Sequence, residues 1–188
     1  MKKYKVLVTG CAGFIGFHVS QELIKSGKYK VFGIDNLNTY YDKKLKFDRL
    51  NILKKSGKKF SFFKIDISKK EQIINNLKKI KYDFIIHLAA QAGVRYSIYN
   101  PDQYIKSNLE GFSNIIEGSK LINVKHLIYA SSSSVYGSSK RMPLKEIDTT
   151  DKPVSLYAAT KKSNELMAFT LSNMFKIPTT GLRLFTVY

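Results

Sequence analysis

The sequence has little of what staples a chain. Its single cysteine, Cys11, excludes an intrachain disulfide. Its three histidines, His18, His87 and His126, are scattered, and no Cys/His pair has zinc spacing, so no metal site is expected. Four prolines and eleven glycines in 188 residues exclude collagen-like and low-complexity segments. No apolar run approaches the about 18 residues of a membrane-crossing helix, so no membrane partner is expected. Met1-Lys2-Lys3-Tyr4-Lys5 looks like the basic start of a signal peptide, and Val8-Thr9-Gly10-Cys11 like a lipoprotein cleavage site. The apolar run between them is about four residues, against about 7–15 in a signal peptide. A reduced, cytoplasmic protein is therefore expected.

Acidic residues are also scarce, 14 against 32 Lys+Arg, for a net charge of +18. Among the basic residues arginine is rare: Arg49, Arg95, Arg141 and Arg183. Nucleic-acid surfaces favour arginine forks with stacking aromatics. Here lysines cluster at 43–46, 54–59, 69–70 and 78–81, where helix ends and loops are expected. They read as solvated faces, and no nucleic-acid partner is expected.

What is present is an alternation. Short β-branched runs at 5–9, 29–35, 60–66, 84–88, 124–131 and 179–187 read as strands. Helical patterns follow them at about 14–26, 43–56, 69–79, 101–119 and 155–173. Short, unalternating strands each followed by a helix predict an α/β fold: a Rossmann-type, doubly wound parallel sheet with helices on both faces. The length suits one domain over 1–188, able to bury roughly 70% of its unfolded surface. The long connection 137–154, with Gly137, Pro143 and Pro153, reads as a functional loop.

Gly10-Cys11-Ala12-Gly13-Phe14-Ile15-Gly16 follows the first strand and opens the first helix. Glycines there let the backbone approach a pyrophosphate, and the helix start offers free N–H groups and a positive dipole end. Asp35 closes the second strand nineteen residues after Gly16, placed to bind a ribose 2′-hydroxyl. No arginine follows it; Asn36-Leu37-Asn38 do, which favours NAD over NADP.

Tyr-x-x-x-Lys occurs three times, at Tyr40/Lys44, Tyr136/Lys140 and Tyr157/Lys161, where chance alone predicts about two. Only Tyr157/Lys161 lies in a strong helical segment, with i and i+4 on one face near the strand C-termini. Tyr40 and Tyr136 stand beside turn residues and read as loop packing. Ser131-Ser132-Ser133-Ser134 closes the fifth strand, either capping a turn or presenting ligand groups.

The loose Gly-x-x-Gly-x-x-Gly spacing, with Tyr157/Lys161 and the serines, resembles the extended short-chain dehydrogenase/reductase superfamily, within the NAD-dependent epimerase/dehydratases. That resemblance implies a Ser132–Tyr157–Lys161 triad. Positive charge from Lys161 and an oxidised nicotinamide would lower the Tyr157 phenol pKa from about 10, making it a base. It also implies cofactor contacts by Phe14, Ile15, Asn36, Asp66, Ile67, Leu88, Ala89 and Ala90, with Asn108 ordering the site. Acidic residues that follow the triad serine in dehydratases and decarboxylases are replaced here by Ser133 and Ser134, which points to epimerisation.

Further stretches sharpen the resemblance to UDP-glucuronate 4-epimerases: residues 35–42, Leu45-Lys46, Arg49-Leu50, residues 89–97, Gly181-Leu182-Arg183 and Phe185-Thr186-Val187-Tyr188. It implies that Ser133, Ser134 and Thr186 hold the sugar carboxylate, with Arg95 assisting. It implies a UDP-sugar substrate, and a homodimer through a four-helix bundle built on 101–119 and 155–173. Ile105, Ile115, Ile116, Leu166, Phe169 and Leu171 are candidates for that surface, or equally for facing the sheet. It implies too that relatives continue beyond the equivalent of Tyr188 into a C-terminal substrate domain. The alternatives are a UDP-glucose or UDP-N-acetylglucosamine 4-epimerase, and a non-catalytic NAD-binding module.

Overall fold

Alternating strands and helices build one parallel sheet in the computed structural model, which describes residues 3–188. Met1 and Lys2, the first residues of the signal-like start, lie outside the described residues. The strands are β1 (Tyr4–Thr9), β2 (Tyr29–Asp35), β3 (Phe60–Lys64), β4 (Phe84–His87), β5 (His126–Ala130) and β6 (Thr179–Leu182). They pair in the order β3-β2-β1-β4-β5-β6, every pair parallel. The order reverses between β1 and β4. That switch point opens a crevice at the strand C-termini, where open α/β sheets bind ligands.

The main helices are α1 (Phe14–Lys25), α2 (Lys43–Lys54), α3 (Lys70–Ile80), α6 (Gly111–Ile122) and α7 (Leu156–Phe175), with short turns α4 (Tyr96–Tyr99) and α5 (Pro101–Tyr104). Strand geometry sends alternate side chains to opposite faces. On β1, Val6 and Val8 join a core with Phe17 and Ile24 of α1 and Leu50 and Leu53 of α2. Leu7 points the other way, into a core with Ile73 and Leu77 of α3 and Ile115 of α6. Fully burying a side chain such as Leu7 contributes about 2 kcal/mol. With both faces covered, the central strands carry consecutive apolar residues, Val6-Leu7-Val8 on β1 and Phe84-Ile85-Ile86 on β4, in place of a polar/apolar alternation.

Three expectations change. β6 ends at Leu182, short of 187. The helix expected over 101–119 is interrupted: Ile105–Glu110 winds as a π-turn before α6 resumes. Such turns concentrate at functional sites, and this one contains Asn108. Of the six residues expected on a dimer surface, Ile115 and Leu171 belong to the core, and Ile116 packs against it. Ile105, Leu166 and Phe169 are exposed. The core positions face the sheet because they lie on the stripes that α6 and α7 turn inward.

No helix among the described residues is long and apolar enough to cross a membrane.

Candidate active site

The floor of the crevice is the glycine turn. Gly10 sits at φ +71° with its amide on the Ile34 carbonyl at 2.7 Å. A Cβ at Gly16 would stand 2.1 Å from the Gly10 carbonyl oxygen, so backbone fills the space any side chain would need. α1 starts at Phe14 with no side-chain cap and no acidic residue in its first turn. Its free N–H groups therefore face an uncluttered wall with a positive dipole end.

From this floor the crevice runs two ways. Towards β2 a cavity of about 110 Å³ is lined by Gly10, Gly13, Asp35, Asn36, Ile67, Leu88, Ala89 and Ala90. Asp35 is buried; its Oδ2 accepts from the Ala12 amide at 3.2 Å and its Oδ1 from Leu37 at 2.8 Å. Each oxygen keeps a second lone pair. Asp66 stands behind this wall. It accepts from Asn36 Nδ2 at 3.1 Å and from the Ser68 amide and hydroxyl, and these bonds hold its carboxyl below the usual range against its burial. Asp66 thus orients Asn36 and is not itself on the cavity wall.

Towards β5 a wider cavity of about 430 Å³ brings together Phe14, Ile15 and Gly16 with Ser132, Ser133, Ser134, Tyr157, Lys161 and Thr186. Ser155 caps α7, accepting from the Ala158 amide at 3.1 Å, which fixes Tyr157 and Lys161 on one face of its first turns. No Asp or Glu lines this cavity. Ser132 caps a turn: its Oγ accepts from the Ser134 amide at 3.2 Å at the head of a 3₁₀ turn over Ser133–Tyr136 and lies 3.2 Å from the Ser134 hydroxyl, to which it donates. It also stands on the cavity wall with Tyr157. The Ser133 amide donates to the Leu184 carbonyl at 3.0 Å, drawing the segment after β6 against the serine turn.

The expected lowering of the Tyr157 pKa is not found in the chain alone. Burial pushes it up, with the Ser132 side chain acting against that. The reason is geometric: the Lys161 ammonium donates to the Ala130 carbonyl at 2.8 Å. Burial also brings the Lys161 pKa down to about 8.

Asn108 is likewise not a wall residue. Its Oδ1 accepts from the Gln91 amide at 2.8 Å, and its Nδ2 donates to the Gln91 carbonyl and to Thr160 Oγ1, both at 3.0 Å. Its own carbonyl accepts from Asn164 Nδ2 at 2.7 Å. Every polar atom of the side chain is thus spent on clamping the β4 loop to α7. Arg95 is exposed beside the α4 turn and is absent from both cavity walls.

The sequence reading missed several residues. Lys46 was expected in solvent; it is buried on the narrow cavity, its Nζ 2.7 Å from Asn38 Oδ1 and 3.9 Å from Asp35 Oδ1. Its signal was present: Lys46, Leu50 and Leu53 are the buried positions of α2, at helical spacing. Tyr40, read as loop packing, lines both cavities. Thr9 Oγ1 accepts from the Leu88 and Ala89 amides, so its proton points to His87 Nδ1 at 2.9 Å. Nε2 then carries the imidazole proton. Burial, with Lys161 nearby, pushes the His87 pKa down to about 3. Arg183 forks onto Glu165 at 2.9 and 3.0 Å, and Ser131 donates to the same carboxylate at 2.6 Å. These contacts tie β6, α7 and the end of β5 behind the catalytic wall.

Residues 6–188 match the family model for the NAD dependent epimerase/dehydratase family. UDP-glucuronate 4-epimerase 4 of Arabidopsis thaliana is 47% identical over 184 residues, covering 97% of this chain and 41% of that protein. The solved UDP-glucuronic acid 4-epimerase of Bacillus cereus, in complex with UDP-glucuronic acid and NAD, superposes with a TM-score of 0.88 at 34% identity, covering 98% of this chain and 57% of that one. The Thermotoga maritima UDP-glucose 4-epimerase solved with UDP-glucose gives a TM-score of 0.82 at 31% identity over 98% of this chain and 56% of that one. The chain spans about half the length of the curated relatives it matches.

Proposed function

The chain belongs to the NAD dependent epimerase/dehydratase family, and from that premise we propose that the whole protein is an NAD-dependent nucleotide-sugar 4-epimerase acting on UDP-glucuronate. The observation that carries this reading is the convergence of the glycine cradle, Tyr157, Lys161 and a row of small hydroxyls on one crevice without a carboxylate in its catalytic wall.

The crevice suits NAD. A Cβ would fill the space at Gly16, which keeps the turn open to a pyrophosphate at the α1 start. Asp35 offers free lone pairs to an adenosine ribose, and Ile67, Leu88, Ala89 and Ala90 supply an apolar passage. The glycine turn, Asp35 and this passage would hold NAD, which would supply a hydride acceptor and donor for the sugar C4.

The chain's own groups manage the proton and the orientation. Tyr157 takes the C4 hydroxyl proton as the 4-keto sugar forms and gives it back on return. It must be ionised to do so, and burial alone opposes that. Ser132 offsets part of the opposition, and its single hydroxyl proton, now on Ser134 Oγ, can turn to the developing oxygen instead. Lys161, its pKa brought down to about 8 by burial, keeps its ammonium on the Ala130 carbonyl and so holds the end of β5 against α7 next to Tyr157. Asn108 holds α7 and the β4 loop in register, so Tyr157 faces the cleft through the Thr160 contact.

Ser133, Ser134 and Thr186 can hydrogen-bond the C5 carboxylate without providing a base that would promote its loss. The second reading, a UDP-glucose or UDP-N-acetylglucosamine 4-epimerase, draws on the Thermotoga maritima likeness. A homodimer packed through 101–119 and 155–173 draws on the exposed Ile105 at the start of the π-turn and Leu166 and Phe169 of α7. The test is incubation with NAD and either UDP-glucuronate or UDP-glucose, read by NMR of the sugar H4 region. UDP-galacturonate formation is expected. Turnover of UDP-glucose alone moves the assignment to the second reading.

A further inference from the structure

Lys46 is an ionisable group that the reaction above does not use. It is 4% exposed, yet it lines the narrow cavity beside Asp35. Its ammonium has three donors. One reaches Asn38 Oδ1 at 2.7 Å; Asp35 Oδ1, at 3.9 Å, is a charge partner beyond hydrogen-bond range. The ring of Tyr41 lies 4.7 Å away on another side. A cation and a carboxylate therefore stand side by side on the wall that would meet the adenosine ribose. A lysine buried this way needs a partner that uses its remaining donors.

We propose that Lys46 and Asp35 together set the cofactor choice at the ribose: each hydroxyl can donate to Asp35 and accept from Lys46, and Asp35 alone bars a 2′-phosphate that Lys46 would otherwise hold. This rests on the cofactor reading above. The absence of arginine after Asp35 hid the second half of the device, because α2 delivers the cation from eleven positions downstream. A 2′-phosphate brings its charge against the Asp35 carboxylate. Without that charge the same pocket presents an ammonium ready for a phosphate.

The test measures NAD and NADP binding by calorimetry to the protein and to Asp35→Asn, Lys46→Met and the double variant. Wild type is expected to prefer NAD by at least about 100-fold, and Lys46→Met to bind NAD about tenfold more weakly. Asp35→Asn should tighten NADP by about tenfold or more, and the double variant should lose that gain. The loss separates a charge role from a packing role, which would move both cofactors together. Asp35 also accepts the Ala12 and Leu37 amides, so circular dichroism must show each variant folded. If Asp35→Asn does not fold, unchanged NAD affinity in Lys46→Met overturns the proposal. Retained NAD binding with no NADP gain in folded Asp35→Asn overturns it alone. No NAD binding by the wild type overturns the cofactor reading and the proposal with it.

Discussion

The two ends of the crevice are built differently. At the β2 end, buried polar groups already bond one another: Asp35 to the Ala12 and Leu37 amides, Asp66 to Asn36 and Ser68, Lys46 to Asn38. The cavity there is narrow, about 110 Å³. At the β5 end the cavity is about 430 Å³ and is walled by the hydroxyls of Ser132, Ser133, Ser134, Tyr157 and Thr186. A pre-bonded site holds one ligand in one pose with little ordering cost. An open row of hydroxyls can meet a group that changes orientation, as a sugar must when it presents its other face.

The sharpest way to separate the two ends is Tyr157→Phe. Turnover should fall about 10³-fold while NAD affinity stays within about threefold, measured by NMR progress curves and calorimetry. Equal loss of both would erase the distinction. Gly16→Ala strikes the glycine floor from which both ends run: its Cβ meets backbone at 2.1 Å, so about 3 kcal/mol of stability should go, with NAD binding weakened. Urea melts and cofactor titration report it.

His87 lies beneath both ends and tests whether they share a foundation. Its folded pKa of about 3 is below the ordinary 6.5, so its contribution is full above pH 6.5 and is lost as pH falls towards 3. Between pH 7 and pH 5 that amounts to about 2 kcal/mol. His87→Gln should flatten this part of the stability profile in urea melts. The smallest effect is expected from Thr186→Val. It should raise KM for UDP-glucuronate about tenfold, leave KM for UDP-glucose alone, and not change NAD affinity. A parallel rise for both sugars would take the carboxylate away from Thr186.

The β2 end was the more legible from sequence, and the reasons are local. Gly10 to Gly16 and Asp35 act through backbone conformation and strand position, which short stretches of chain encode. The Tyr157/Lys161 pair was legible too, because helical spacing places both on one face. Lys46 escaped because composition made every lysine look solvated, although its place on the buried stripe of α2 was visible in the spacing. Arg95 lies exposed and off both cavity walls, a placement its stretch could not show because nothing local says which way an α4 turn will face.

By itself the sequence determined the α/β alternation, the glycine turn that opens α1 and the helical spacing that sets Tyr157/Lys161 apart from its two look-alikes. Each follows from residues within about one helical turn or one strand of each other. Only the tertiary structure decided that Lys161 spends its ammonium on Ala130, that Asn108 is a clamp in a π-turn, and that Lys46 stands beside Asp35. Thr9 and His87 meet across 78 residues, and Asn108 and Thr160 across 52. Such partners are chosen by strand order and helix packing, and burial then sets their charge states.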